Sequence, residues 1–129
     1  DNFDIAPFVQ LTMGKDLEAC RAPSRFFLSL YIGGMGARNK NFYNDYAIRM
    51  GYEEAARKIQ DLYLDGKKAE AAQAVPAELI DEIALVGPEE RIRERLQAWK
   101  QAGKHKQVGS MLLSMSSPAA LEVVADEML

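Results

Sequence analysis

In the second half of the chain, a continuous apolar run is followed by apolar residues at helical spacing. This pattern predicts one strand followed by one helix. Residues 83–86, with the sequence IALV, form a short continuous apolar run. Such a run is typical of a strand that is buried on both faces of a parallel sheet. Pro88 suits the start of a helix, and Ile92, Leu96 and Trp99 then recur on one helical face. The chain should therefore contain further strand-turn-helix units.

Residues 5–12, with the sequence IAPFVQLT, predict the first strand. Successive side chains of a strand point to opposite faces, and the face that carries Gln10 and Thr12 becomes polar toward the carboxyl end. Ligand sites of α/β folds collect at that end. Gln10 and Thr12 are therefore candidate site residues. The alternative interpretation is that they are edge residues bonded to water or to backbone.

Residues 110–115, with the sequence SMLLSM, predict a last strand before a final helix that begins at Pro118. The strands are thus expected near residues 5–12, 83–86 and 110–115. The connection between the first two is longer than one crossover helix requires, so we expect a helical insertion over residues 34–82. The chain as a whole, residues 1–129, is expected to form a single domain of the α/β class.

The helix predicted over residues 16–32 contains Pro23, which should kink or divide it. Residues 33–45, GGMGARNKNFYND, follow and are unusually rich in glycine. Glycine lets the backbone adopt left-handed conformations or approach a ligand closely, and Asn41 and Tyr43 offer hydrogen-bonding groups. The segment lacks the ending of a phosphate-binding P-loop. A glycine helix cap that leads into a surface turn is the structural alternative.

The composition fits a globular domain, with 48% hydrophobic and 27% charged residues. The net charge of −3 gives no basic field for a nucleic acid partner. No apolar run is long enough to predict a membrane span. The single cysteine, Cys20, cannot form an intrachain disulfide and fits a reducing, cytoplasmic location. Because the chain starts at Asp1 without methionine, we expect that upstream sequence has been removed.

The residue types alone identify no catalytic residue, no cofactor ligand and no metal site. His105 is the only histidine and has no cysteine near it, so a zinc site is not supported. Ser114, Ser116 and Ser117 follow the last predicted strand without a nucleophile-elbow sequence around them.

Two long runs carry a resemblance to a known family: IAPFVQLTMGKDLEACRAPSRFFLSLYIGGMGARNKNFYNDYAIRMGYEEAARKIQDLYLDGKKAEA and VPAELIDEIALVGPEERIRERLQAWKQAG. They resemble the C-terminal part of luciferase-like flavin or deazaflavin oxidoreductases, and most of all the actinobacterial branch that uses coenzyme F-420. The resemblance implies a (β/α)8 TIM barrel, of which this chain is the last part, about three βα units plus the helical insertion.

The resemblance also implies an activity for the full-length protein. This is hydride transfer to or from coenzyme F-420, with FMN-dependent monooxygenation as the alternative, acting on a small-molecule substrate. Because the family's insertion lies beside the substrate pocket, the resemblance indicates these pocket residues: Tyr31, Gly33, Gly34, Met35, Gly36, Asn41 and Tyr43.

A three-strand part of a barrel would expose apolar sheet edges. We therefore expect the isolated chain to be stable only as a homo-oligomer or by rearranging its strands. The resemblance also implies that upstream strands supply most of the cofactor pocket, so we expect the isolated chain to be inactive. The alternative function is that of a non-catalytic oligomerising or ligand-binding fragment without the cofactor pocket.

Overall fold

The computed structural model describes residues 3–114 and 116–129 of the chain. It contains two compact units. The sheet unit consists of Asp1–Arg21 and Ile83–Leu129, and the helical unit consists of Ala22–Glu82. The expectation of one single domain over residues 1–129 stays a prediction.

The described residues form an α/β structure with three strands and seven α-helices, and one π-helical turn follows the first helix. The strands are β1 (Phe8–Met13), β2 (Leu85–Gly87) and β3 (Leu112–Ser114). The α-helices are α1 (Leu17–Ser29), α2 (Phe42–Arg49), α3 (Glu53–Leu64), α4 (Lys68–Gln73), α5 (Ala77–Ile83), α6 (Glu89–Lys104) and α7 (Pro118–Met128). The π-helical turn spans Leu30–Gly34. Among the described residues, no helix combines the length and the apolar character that crossing a membrane requires.

The three strands are parallel, and β1 lies between β2 and β3. Leu11 pairs with Leu85 on one side of β1, and Phe8 pairs with Leu112 on the other. Parallel pairing agrees with the predicted strand-helix units. The order β2-β1-β3 departs from the chain order that consecutive barrel strands follow. The position of β3 is set at its start, where the amides of Gly109 and Ser110 both donate to the carbonyl of Ile5.

The strand boundaries differ from the sequence prediction by up to three residues. β1 begins at Phe8 rather than at residue 5, because Pro7 has no N–H for a sheet ladder. β2 spans Leu85–Gly87, and Ile83 is instead the last residue of α5. β3 is shorter than predicted, and Met115, included in that prediction, lies outside the described residues.

The core of the sheet unit lies on one face of the sheet, beneath α6 and α7. Val9 and Leu11 of β1 are fully buried there. They pack in one cluster with Leu85 of β2 and with residues of both helices: Ile92, Leu96, Ala120, Val123 and Val124. Burying an apolar side chain of this size contributes about 1.5 to 3 kcal/mol. On the opposite face, Phe8 is 80% exposed.

The helix α1 is not divided at Pro23, contrary to one of the two expected outcomes. Pro23 and Ala19 both lie on the exposed side of α1. The carbonyl of Ala19, which loses its helical donor at Pro23, is therefore on the side where water can replace that donor. The regular helix ends only at Ser29, where the π-helical turn begins.

Candidate functional site

The glycine-rich segment forms the π-helical turn and the loop before α2. Single π-helical turns are frequent at functional sites. Gly33 and Gly34 lie in this turn and pack against Tyr63 of α3. A Cβ atom added to Gly33 would lie 2.6 Å from Tyr63 Cβ, and one added to Gly34 would lie 2.4 Å from Tyr63 Cε1. Both glycines are therefore required for close packing within the helical unit.

Gly36 is held in the same way by the backbone of its own loop. An added Cβ would lie 2.3 Å from the carbonyl oxygen of Lys40. None of the three predicted glycines has a positive φ angle; among the described glycines, those angles occur at Gly51, Gly66 and Gly87. The segment uses its glycines for close approach of the chain to itself, not for left-handed backbone.

Asn41 joins the π-helical turn to α2 through its side chain. Its Oδ1 accepts from the amide of Asn44, which caps α2, and its Nδ2 donates to the carbonyls of Tyr31 and Ile32 at 3.0 Å. The side chain is 1% exposed. Asn41 thus fixes the backbone around Tyr31.

Asn44 is a second buried amide, which sequence reasoning missed. Its Nδ2 donates to the carbonyl of Ile32 at 3.0 Å and to the carbonyl of Ala56 at 2.9 Å. The residue joins three elements of the helical unit: the π-helical turn, α2 and α3. The signal that could have identified it is a short amide side chain in the first turn of a helix, three residues after another asparagine.

Five aromatic rings form a continuous row on the helical unit. The ring centroids are separated by 4.5 Å between Phe27 and Tyr31 and by 4.8 Å between Tyr31 and Tyr43. The row continues with 5.6 Å from Tyr43 to Phe42 and 6.2 Å from Phe42 to Tyr46. Edge-to-face and tilted pairs in this range are favourable. Sequence reasoning named only Tyr31 and Tyr43 of this row.

The accessible side chains among the seven candidates of the helical unit are those of Tyr31, Met35 and Tyr43. Met35 is 51% exposed and Tyr43 is 44% exposed, and Tyr31 is partly buried between Phe27 and Tyr43. These three are able to contact a ligand directly. Asn41 and the glycines hold the backbone that carries them.

Gln10 and Thr12 lie on β1 in the sheet unit. Gln10 is 9% exposed. The hydroxyl oxygen of Thr12 is buried, and no described residue provides a hydrogen-bond partner for it. Thr12 pairs with Val86 near the carboxyl end of β1, where α/β folds bind ligands. An unpaired buried hydroxyl is uncommon in folded proteins and calls for an explanation.

Other features of the described residues lie apart from these candidates. The sheet unit has an open cavity of about 840 Å³ between α6, β3 and α7, lined by Trp99, Met111, Leu121 and Met128 among others, and no predicted site residue lines it. No group of three or more histidine, cysteine or acidic side chains within the described ranges could hold a metal ion.

Comparison with known proteins identifies the family. The family described as "Luciferase-like monooxygenase" matches residues 1–106. The chain belongs to the luciferase-like monooxygenase family. The family resemblance predicted from the sequence is thereby confirmed over most of the length of the chain.

Two related proteins add detail to this family membership. A protein of Mycobacterium tuberculosis, named as a proposed coenzyme F-420-dependent oxidoreductase, is 37% identical over 103 residues. The match covers 80% of this chain and 30% of that protein. This luciferase-like chain therefore spans about a third of the length of its curated relative.

The fold also matches a solved structure, the coenzyme F-420-dependent tetrahydromethanopterin reductase from Methanopyrus kandleri. The TM-score is 0.67 at 18% identity, over 97% of this chain and 34% of the reductase. The luciferase-like chain thus has the fold of part of a TIM-barrel-like enzyme, and the predicted fold class is confirmed.

Proposed function

We propose that this chain is part of an oxidoreductase that transfers a hydride between coenzyme F-420 and a small-molecule substrate. The observation that carries the proposal is the 37% identity, over 80% of this chain, to the mycobacterial protein named for that cofactor. Because the chain spans 30% of that relative, the activity is proposed for the full-length protein. The isolated chain is proposed to be inactive.

The residues of this chain fit such a cofactor in part. When bound, a deazaflavin supplies the chemistry of accepting or donating a hydride. Thr12 has a buried hydroxyl without a partner near the carboxyl end of β1, and Gln10 precedes it on the same face. A ligand that bonds to Thr12 would remove the cost of about 1 to 3 kcal/mol for an unpaired buried polar group. We assign these two residues to ligand contact.

The substrate pocket is proposed to lie beside the glycine-rich segment. Tyr31, Met35 and Tyr43 would contact the substrate, since their side chains are accessible. Gly33, Gly34, Gly36 and Asn41 would define its shape through the backbone that they fix. Apolar and aromatic contacts with few polar groups are typical of small-molecule sites.

The choice of cofactor is tested by titrating this chain with oxidised and reduced coenzyme F-420 and with FMN, following the absorbance of each. We expect the absorbance spectrum of F-420 to change when the chain is added and that of FMN to stay unchanged. Binding of FMN alone would overturn the proposal and favour flavin-dependent monooxygenation, the activity in the family's description. Absence of binding, together with a stable oligomer, would favour a non-catalytic fragment.

The pocket is tested in a full-length relative by substituting the residue that corresponds to Tyr43 with alanine. We expect a KM at least tenfold higher, because a ring contact with the substrate is lost. The control is alanine at the residue that corresponds to Leu64, which is 45% exposed at the end of α3. This control should leave KM unchanged. An unchanged KM in the Tyr43 variant would remove this residue from the pocket.

We also propose a cytoplasmic location and self-association for this chain. Cys20 is buried and free, which agrees with a reducing compartment. Large aromatic side chains are exposed on the helical unit, among them Phe42 at 65% and Tyr46 at 52%. Apolar surface of this kind favours association.

A further inference from the structure

The helix α2 has apolar residues on opposite sides. Its inner side contributes the buried Ala47 and the buried amide of Asn44. Its outer face, defined here as Phe42, Asp45, Tyr46 and Arg49, is exposed. A surface helix normally has one apolar stripe and one polar face. A helix with large rings on its outer face is therefore expected to be covered there by another molecule or segment.

The outer face of α2 contains one acid and one base besides its two rings. The guanidinium carbon of Arg49 lies 6.0 Å from the ring centroid of Phe42 and 5.5 Å from that of Tyr46. Asp45 and Arg49 are four residues apart, yet neither forms an ion pair within residues 3–114 and 116–129. The two opposite charges are thus available to a partner.

We infer that the outer face of α2 binds a second copy of this chain, with the two α2 helices packed antiparallel across a two-fold axis. Such an interface requires a surface that is complementary to itself. An antiparallel arrangement brings Asp45 of each copy within one helical turn of Arg49 of the other copy. It also places Arg49 near the Phe42 ring of the second copy. A partner of a single charge sign would leave Asp45 or Arg49 unmatched.

The composition and size of the face fit a small, reversible interface. Phe42 is 65% exposed and Tyr46 is 52% exposed. At roughly 150 to 250 Å² per aromatic side chain, these fractions give about 230 Å² of ring surface per copy. Aromatic residues and arginine are enriched at interface centres. A standard interface buries about 800 Å² per partner, so these rings can form its centre and the dimer should be weak.

The inference names the face through which the proposed self-association occurs. It is independent of the cofactor and of the hydride-transfer proposal. The ring of Tyr43 lies between Tyr31, at 4.8 Å, and Phe42 of the outer face, at 5.6 Å, so the proposed substrate pocket adjoins the interface.

The test is sedimentation equilibrium of the complete 129-residue chain at roughly 10 to 500 µM. We expect a reversible monomer-dimer equilibrium, and a dissociation constant at least tenfold higher for Tyr46→Glu. Two controls carry the same change on other exposed rings: Phe26→Glu, at a residue 59% exposed on α1, and Phe8→Glu, at one 80% exposed on β1. Both should dimerise like the unaltered chain. Circular dichroism verifies that each variant is folded.

A charge exchange tests the antiparallel arrangement. Asp45→Arg and Arg49→Asp should each raise the dissociation constant, because each places like charges across the axis. The dissociation constant of the double variant should lie within about threefold of that of the unaltered chain, since the ion pairs are restored with reversed signs. A monomeric chain over the whole range, or an unchanged constant in Tyr46→Glu, would overturn the interface. A double variant no better than the single ones would overturn the antiparallel pairing.

Discussion

The ring of Tyr63 lies directly against Gly34, with no space for a Cβ atom between them. An added Cβ would lie 2.4 Å from Tyr63 Cε1 and 2.9 Å from Tyr63 Cδ1. Tyr63 is on α3 and Gly34 ends the π-helical turn, so this contact sets the distance between the two elements. The same turn contains Tyr31, so the position of Tyr31 depends on the packing of Gly34 against Tyr63.

Gly34→Ala should destabilise the chain by about 1 to 3 kcal/mol, the usual cost of overpacking a well-packed contact. The measurement is the free energy of unfolding in urea. In a chain that also carries Tyr63→Ala, Gly34→Ala should cost less free energy of unfolding, because the ring that the added methyl group meets is gone. A double-mutant cycle measures this coupling. Additive effects of the two substitutions would contradict the contact.

Gly103→Ala is the matched control for this substitution. Gly103 lies within α6, and the nearest atom to an added Cβ is 3.9 Å away. Alanine is favoured over glycine in a helix by about 0.5 to 1 kcal/mol. This control should therefore stabilise the chain.

The glycine-rich segment shows what sequence alone can predict about the candidate site. The unusual composition correctly marked residues 33–45 as structurally special, but it could not distinguish glycines that face a ligand from glycines that face Tyr63. That distinction depends on a partner 29 positions later in the sequence, at a distance that no local pattern encodes. Pocket contacts for these residues stay predictions.

Asn44→Asp should destabilise the helical unit by about 3 kcal/mol or more at neutral pH. The amide nitrogen of Asn44 donates to the carbonyls of Ile32 and Ala56, and a carboxylate would place a buried charge against both acceptors. Asn39→Asp is the control, since Asn39 is exposed and its φ of 65° is tolerated by aspartate. The two variants are compared by thermal unfolding. Equal stability of the two variants would show that the hydrogen bonds donated by the Asn44 side chain contribute little to the free energy of unfolding.

Tyr52 should give the chain a pH-dependent stability at alkaline pH. Its hydroxyl donates to Glu82 Oε1 at 2.5 Å, and this bond, with burial as a smaller cause, raises the pKa of Tyr52 from 10.0 to about 12. Because the folded state holds this proton more tightly than the unfolded state, the stabilisation is complete below pH 10 and is lost as the pH rises toward 12.

Tyr52→Phe isolates this effect. The variant should be less stable than the unaltered chain at pH 8, by less than about 1 kcal/mol for a bond near the surface. The difference should shrink as the pH rises from 10 to 12. Urea unfolding at several pH values measures it, and a constant difference would contradict the assignment. Glu82→Gln, which keeps an acceptor without the charge, should show less of this dependence.

The sheet shows which parts of the fold the sequence determines. The three apolar runs predicted three parallel strands, and the sheet contains them. The order of the strands was not predictable, because each run is apolar enough to pair on either side of β1. Backbone bonds from residues 109, 110 and 112 to Ile5 and Pro7 decide it.

Thr12→Val should separate stability from ligand binding. The two side chains are nearly isosteric, and the hydroxyl that is lost has no described partner, so we expect the free energy of unfolding to rise by about 1 kcal/mol. The same variant should bind coenzyme F-420 more weakly if the hydroxyl is kept for the ligand, since residues reserved for function often reduce stability. Ser110→Ala is the control: its hydroxyl bonds to Asp4 Oδ2 at 2.8 Å, so its loss should lower stability without affecting binding. A destabilised Thr12→Val would show that the hydroxyl is already paired within the fold, and Thr12 would then lose its place in the proposed site.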